Sequence, residues 1–183
     1  NKLAIVSRGT LTLERLDSMQ SSNVAVAVGS DDTFTNAGTV TVVDRAAPVY
    51  NTLTAIRGGT IVNNGTLSLG GADGISSTNV TNTGTIVQIA GERNARGIVS
   101  TNGPLKVVNT GTIDVAGVAI AGLYSGMSVD NSGRIASSNG VAIGIDSYGT
   151  GSITNRTGGT IAGNGTAIRL SGGLVTNAGA IVG

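Results

Sequence analysis

VTNTGTI at residues 80–86 and VVNTGTI at 107–113 are nearly the same seven residues, and the unit they share, apolar-x-Asn-x-Gly-x-apolar, recurs along the chain. It reads FTNAGTV at 34–40, IVNNGTL at 61–67, VDNSGRI at 129–135 and VTNAGAI at 175–181. Two imperfect copies complete the series: IVSRGTL at 5–11 has Ser7 in the Asn place, and ITNRTGGTI at 153–161 carries two extra residues. The unit's glycines are Gly9, Gly38, Gly65, Gly84, Gly111, Gly133, Gly159 and Gly179, spaced by 29, 27, 19, 27, 22, 26 and 20 residues. Their mean, about 24, is the period of a solenoid.

A second apolar stretch lies between successive units, as in TAI at 54–56, GVAIAGL at 117–123 and GTAIRL at 165–170. Each coil therefore offers three short strands: one after the Gly, one at the AI stretch and one leading into the next Asn. Residues two apart on a strand share a face. Leu11, Val40, Leu67, Ile86, Ile113, Ile135, Ile161 and Ile181 then form one inward column, and Ile5, Phe34, Ile61, Val80, Val107, Val129, Ile153 and Val175 a second. Like residues in columns are what parallel strands about 4.8 Å apart would bury. The expectation is an all-β parallel solenoid of about seven three-stranded coils, a rod on the order of 34 Å long. A helix is opposed by the density of Thr, Gly and Asn, and only ERLDSMQ at 14–20 could form a turn or two. A β-sandwich is the competing all-β fold, but its strands need not repeat the same residue types.

The Asn amide can donate and accept at once, so stacked copies would form a hydrogen-bonded ladder, with the Gly two places on allowing a tight turn. Asn36, Asn63, Asn82, Asn109, Asn131 and Asn177 are expected in one column, and Asn155 is expected to be displaced by the two-residue insertion.

Composition removes much chemistry. The chain of 183 residues has no His and no Cys, so a His base, a Cys nucleophile and a zinc site are excluded. Eleven Lys plus Arg against ten Asp plus Glu, a formal charge of +1, disfavours a phosphate-neutralising surface, and nucleic acid is not an expected partner. No apolar run approaches the roughly 18 residues of a membrane-spanning helix, and none at the start reads as a signal peptide. The chain begins and ends inside a repeat, as expected of an excised piece of something longer. Sequons at Asn64, Asn79, Asn155 and Asn164 are expected by chance in a chain this rich in Asn and Thr.

The VTNxGTI anchor, followed by GxAIxL and a return to VTNxG, resembles the passenger region of autotransporters, bacterial surface proteins of the type V secretion class; TAIRLSGGLVTNAGAIVG at 166–183 is the stretch most like it. The resemblance covers nearly the whole chain, least well at 14–33 and 43–53. It implies a right-handed parallel β-helix, with residues 1–183 a single fragment of a longer passenger domain. It further implies export through the outer membrane to the bacterial surface or the medium, and an adhesive role toward protein or glycan on a host or bacterial surface, self-association included. ITNRTGGTI is nearer the style of the large exoproteins of two-partner secretion. The scaffold carries adhesins, proteases and toxins alike; the protease members depend on a His that is absent here. An inert stalk is the alternative reading, and a carbohydrate-active β-helix enzyme the third.

An enzyme of that last kind needs paired carboxylates. Asp44, Asp114 and Glu92 fall at different offsets from the repeat Gly, and Asp130 and Asp146 on different strands, so no two acids are expected to stack and no catalytic residue is assigned. Asp31 and Asp32 with Glu14 or Asp17 could approach a calcium ion, but a solvated acidic turn is the simpler reading; GGADG at 70–74 likewise reads as a tight corner. No metal or other cofactor is expected. The better signal is one corner, where residues 14–22, 43–53 and 90–96 form long loops in three of the first four coils. They hold Glu14, Arg15, Asp17, Asp44, Arg45, Glu92, Arg93 and Arg96, eight of the 21 charged residues. In later coils the corner shrinks to small residues such as Ala116 and Gly117. Insertions on one face of a solenoid leave the stacked core undisturbed and bear its functional variation. Asp44, Arg45, Tyr50, Glu92, Arg93 and Arg96 are the expected partner-binding residues, unless the loops carry charge only to stay solvated. Tyr124 and Tyr148, after the AI strands of neighbouring coils, are expected close together as an aromatic strip.

Overall fold

A computed structural model describes residues 3–15, 24–45, 53–100, 103–122, 126–145 and 149–183. They form a right-handed parallel β-helix of about seven coils, with strands and no helix among the described residues. Each coil contributes one strand to each of three parallel sheets. The first sheet stacks Ala4–Ser7, Thr33–Asn36, Thr60–Asn63, Asn79–Asn82, Leu105–Asn109, Met127–Asn131, Gly151–Asn155 and Gly173–Asn177. The second stacks Thr10–Arg15, Thr39–Asp44, Thr66–Gly70, Thr85–Gln88, Thr112–Val115, Arg134–Ser137, Thr160–Ala162 and Ala180–Val182. The third runs Val24–Ala27, Thr54–Arg57, Asp73–Ser76, Ile98–Ser100, Ile120–Gly122, Ile143–Ile145 and Ile168–Arg169. Glu14 and Arg15 continue a strand rather than opening a helical turn, while residues 16–23, Asp17 among them, lie outside the described residues.

Register follows the apolar columns. Leu11 pairs with Val40, Val40 with Leu67, and the series continues through Ile86, Ile113, Ile135 and Ile161 to Ile181. The column from Ile5 through Phe34 to Val175 is likewise continuous. The AI stretches supply a third, running Ile56, Ile75, Ile98, Ile120, Ile143 and Ile168. Interior members such as Ile61, Ile86 and Ile120 are fully buried, each stabilising the fold by about 1.5–3 kcal/mol. A one-residue slip would turn a whole column outward, so the pattern pins the register.

Between the first and second sheets runs the Asn ladder. Asn36 Nδ2 donates to Asn63 Oδ1 at 2.8 Å, and the bond repeats from Asn63 to Asn82, Asn82 to Asn109 and Asn109 to Asn131, each at 2.7 Å. Asn155 is not displaced. It accepts from Asn131 and donates to Asn177, both at 2.8 Å. The two extra residues follow it, in a turn closed by the Gly159 N–H on the Arg156 carbonyl at 2.9 Å, with Gly158 at φ +83°. The repeat glycine also has a different reason from the one expected. Gly38, Gly65, Gly84, Gly111 and Gly133 are not among the positive-φ residues. Instead, a Cβ at Gly111 would overlap the Gly84 carbonyl of the coil below, and the same clash recurs up the column. Close approach of neighbouring coils excludes the side chain.

Candidate functional site

The corner between the second and third sheets gathers charged residues, because strands of the first two coils run on past the core column and place Arg15 over Asp44, with Glu14 and Arg45 beside them. Arg15 stacks on Asp44 in the strand register. Its guanidinium grips the carboxylate with both arms, Nε to Oδ1 at 3.0 Å and Nη2 to Oδ2 at 2.6 Å, the bidentate geometry that planar forks favour. Asp44 is only 2% exposed, and the Leu53 N–H also donates to its Oδ2, at 3.2 Å.

Glu92 and Arg93 come from the fourth coil and reach over the third. The third coil turns this corner on Gly70, Gly71, Ala72 and Asp73, with Gly71 at φ +68°. A Cβ at Gly70 would press on the Glu92 side chain at 3.0 Å, and one at Gly71 would meet the Asp44 carbonyl at 2.9 Å. Across this glycine gap Arg93 Nη2 donates to the Asp44 carbonyl at 2.5 Å and lies 3.6 Å from its carboxylate. Arg45 bridges Glu14, Nε to Oε1 at 2.5 Å, and Glu92, 3.2 Å from Nη2 to Oε1. The Glu14 hydrogen bond and then the Glu92 charge hold the Arg45 pKa above its ordinary value. Arg96 closes on the buried Asp73, with Nε 2.7 Å from Oδ1 and Nη2 paired with Oδ2.

Sequence reasoning misses two members of this corner. Asp73 reads as part of a glycine turn, and its role emerges only when Arg96 of the next coil stacks beside it. Gln88 ends a strand, and its Oε1 accepts from the Ala95 and Ala116 N–H groups, each at 2.9 Å, while Nε2 donates to the Glu92 carbonyl at 3.1 Å. That amide fastens the 90–96 loop to its own coil and the next.

Of the expected binding residues, Asp44, Arg45, Glu92, Arg93 and Arg96 converge on this corner. Asp44 is buried, so it organises the corner from within and presents little to a partner. Tyr50 lies outside the described residues, as do Tyr124 and Tyr148. Side chains of Arg45, Glu14, Arg93 and Arg96 are 55%, 44%, 40% and 38% exposed and make up the outward surface. In later coils the corner is as small as expected: the Gly117 N–H donates to the Ala95 carbonyl, and Ser137 Oγ to the Gly117 carbonyl at 2.6 Å.

Elsewhere, Asp32 accepts from the Leu3 N–H at 2.8 Å and closes a turn on the Gly29 carbonyl. Among the described residues no three acids gather as a metal site would require. Asp114 pairs in register with Val87 and Ala136, and Asp130 with Val108 and Thr154. The chain matches no protein-family model, no curated protein and no solved structure.

Proposed function

We propose that the chain is a rod segment of an exported bacterial surface protein of the autotransporter-passenger kind, and that the corner built by Glu14, Arg45, Glu92, Arg93 and Arg96 is its adhesive edge. The observation that carries this reading is the convergence itself: residues from three loops, up to 82 positions apart from Glu14 to Arg96, meet on one side of the rod. Mixed charges with half-exposed arginines suit a protein or glycan surface, where Arg is favoured as an anchor. The coil pattern supports export, since VTNxGTI and GxAIxL repeats resemble those of passenger regions.

A spacer is the second reading, and one observation favours it: every acid and every Arg of the described corner already has a partner of opposite charge. Trimming residues 43–53 would remove the buried Asp44 and Leu53 and confound folding with binding, so substitution of the exposed pair is the cleaner test. Beads coated with the chain would be scored for adhesion to laminin, collagen and cultured epithelial cells, beside beads carrying Glu14→Gln with Arg45→Gln. Adhesion that the double variant loses, with an unchanged β spectrum, supports the adhesive edge. Equal adhesion of both, or none by the parent, replaces it with the spacer.

A further inference from the structure

Asn-Gly dipeptides stand at Asn64–Gly65, Asn102–Gly103, Asn139–Gly140 and Asn164–Gly165, and Asn102 lies outside the described residues. Such a dipeptide can modify itself, because glycine has no Cβ to shield its backbone nitrogen from the side-chain amide before it. Attack needs two freedoms: a glycine N–H that is not committed to a hydrogen bond, and an asparagine side chain able to swing over it. The fold leaves these freedoms unequally distributed.

Asn64 has neither. The Gly65 N–H donates to the Asn36 carbonyl at 2.9 Å, and a Cβ on Gly65 would overlap the Gly38 carbonyl, so this glycine is wedged against the coil before it. The Asn64 side chain is held as well, accepting from Thr83 Oγ1 at 2.8 Å. Asn164 has one of the two. Its Nδ2 donates to the Ser138 carbonyl at 3.0 Å, which fastens the side chain to the previous coil, whereas the Gly165 N–H has no partner among the described residues. Asn139 has both. It lies on the corner between the second and third sheets, where residues 89–97, 116–119, 138–142 and 163–167 are all described. Its own N–H is anchored on the Ala116 carbonyl at 2.9 Å, but its exposed side chain and the Gly140 N–H have no partner among the described residues.

We propose that Asn139 is a site of spontaneous, enzyme-free modification. The Gly140 nitrogen, giving up its proton to solvent, attacks Asn139 Cγ. A C–N bond forms, the Cγ–Nδ2 bond breaks, and ammonia leaves with a proton returned by solvent, so that a cyclic imide remains. Water then adds to one of the imide carbonyls and reopens the ring, to aspartate or to isoaspartate, whose main chain runs through the former side chain. The net change exchanges ammonia for water and needs no other reactant. Either product puts a negative charge on the sixth coil, at a corner whose neighbours Ala116, Gly117, Ser137 and Ser138 are small and neutral. Isoaspartate also lengthens the main chain by a methylene just before Gly140, whose carbonyl accepts from the Asn164 N–H at 3.1 Å. Conversion to isoaspartate therefore loosens the corner of the seventh coil from that of the sixth. The site uses no residue of the adhesive edge and stands whether or not that edge binds.

The test is tryptic peptide mapping by mass spectrometry of the folded chain aged at mildly alkaline pH. Cleavage after Arg57, Arg93, Arg134, Arg156 and Arg169 puts Asn64, Asn139 and Asn164 on separate peptides. Asn139 is expected to convert at least about tenfold faster than Asn64, the worth of one hydrogen bond on the attacking nitrogen, and to yield both aspartate and isoaspartate peptides. In urea the sites lose their different surroundings, and their rates should draw together. Gly140→Ala, whose Cβ would meet Ser137 Oγ at an ordinary 3.4 Å, should keep the β spectrum and slow conversion at Asn139 while leaving Asn64 unaltered. Hydrogen exchange on the aged chain should be faster at the Asn164 N–H than in fresh protein. An Asn139 that stays intact, that converts no faster than Asn64 in the folded chain, or that keeps its lead in urea overturns the proposal; unchanged exchange at Asn164 overturns the loosening.

Discussion

Replacing Asn109 by Leu removes the middle rung of the ladder. Asn109 is fully buried, and its Nδ2 donates to Asn131 Oδ1 at 2.7 Å and to the carbonyls of Gly111 and Arg134, each at 3.2 Å, while its Oδ1 accepts from Asn82 at 2.7 Å. After the change Asn82 keeps the Gly84 and Thr112 carbonyls, both at 3.3 Å. Asn131 Oδ1 keeps no replacement donor in a place without water access. One orphaned buried acceptor costs about 1–3 kcal/mol and each lost bond about 1 kcal/mol, and the apolar side chain offsets part. A net loss of about 2–4 kcal/mol is expected. At the ladder's end Asn177 is exposed, and the same change there should cost under about 1 kcal/mol. Urea unfolding followed by far-ultraviolet circular dichroism measures both. Asn109→Asp sharpens the test by keeping the shape and removing the donor, so a carboxylate faces Asn131 Oδ1. Burial raises its pKa, so the destabilisation is full at neutral pH and relieved as acid restores a proton. An Asn109→Leu variant no less stable than Asn177→Leu would mean that the ladder does not hold the coils together.

Asp44→Ala strands the Arg15 charge beside a largely buried space and should cost about 2–4 kcal/mol, whereas Arg45→Ala, on an exposed pair, should leave the midpoint of the same unfolding assay nearly unchanged. Gly111→Ala forces its Cβ onto the Gly84 carbonyl and should destabilise by about 1–3 kcal/mol, while Gly9→Ala, with nothing within 4 Å of the new atom, should be near neutral; equal midpoints would refute the close-approach explanation. Asp130 has its pKa lowered by the Arg156 hydrogen bond, so its contribution to stability is present above the unfolded value, about 3.9, and disappears as pH falls through the folded one. Carboxyl-carbon NMR should show Asp130 titrating below an exposed Asp, and Arg156→Gln should return it to the ordinary range.

The apolar columns are legible in the sequence because a parallel solenoid puts the same environment at every repeat, so Ile86 and Ile113, which fill one position on neighbouring coils, have to be alike. Asn155 misleads because its insertion reads in the sequence as an interruption of the ladder, whereas a turn absorbs the two residues after the Asn and leaves the stack in phase. The reason for the repeat glycine is hidden because close approach between coils leaves no mark on a single coil's sequence. The charged corner is legible as a concentration of charge, since long loops cannot enter a dry core. Its wiring is not: Arg45 meets Glu92 only because the glycines of the third coil leave room for the fourth to reach the second.

The most direct test is a spin-label distance across the stack, which the absence of cysteine makes simple. Thr35 and Thr154 lie in one column of the first sheet, five coil steps apart through Val62, Thr81, Val108 and Asp130. With Thr35→Cys and Thr154→Cys labelled, a single narrow distribution near about 24 Å is expected, widened only by the label arms. A broad distribution, or a distance shifted well beyond the reach of those arms, would contradict in-register parallel stacking and with it the proposed adhesive edge.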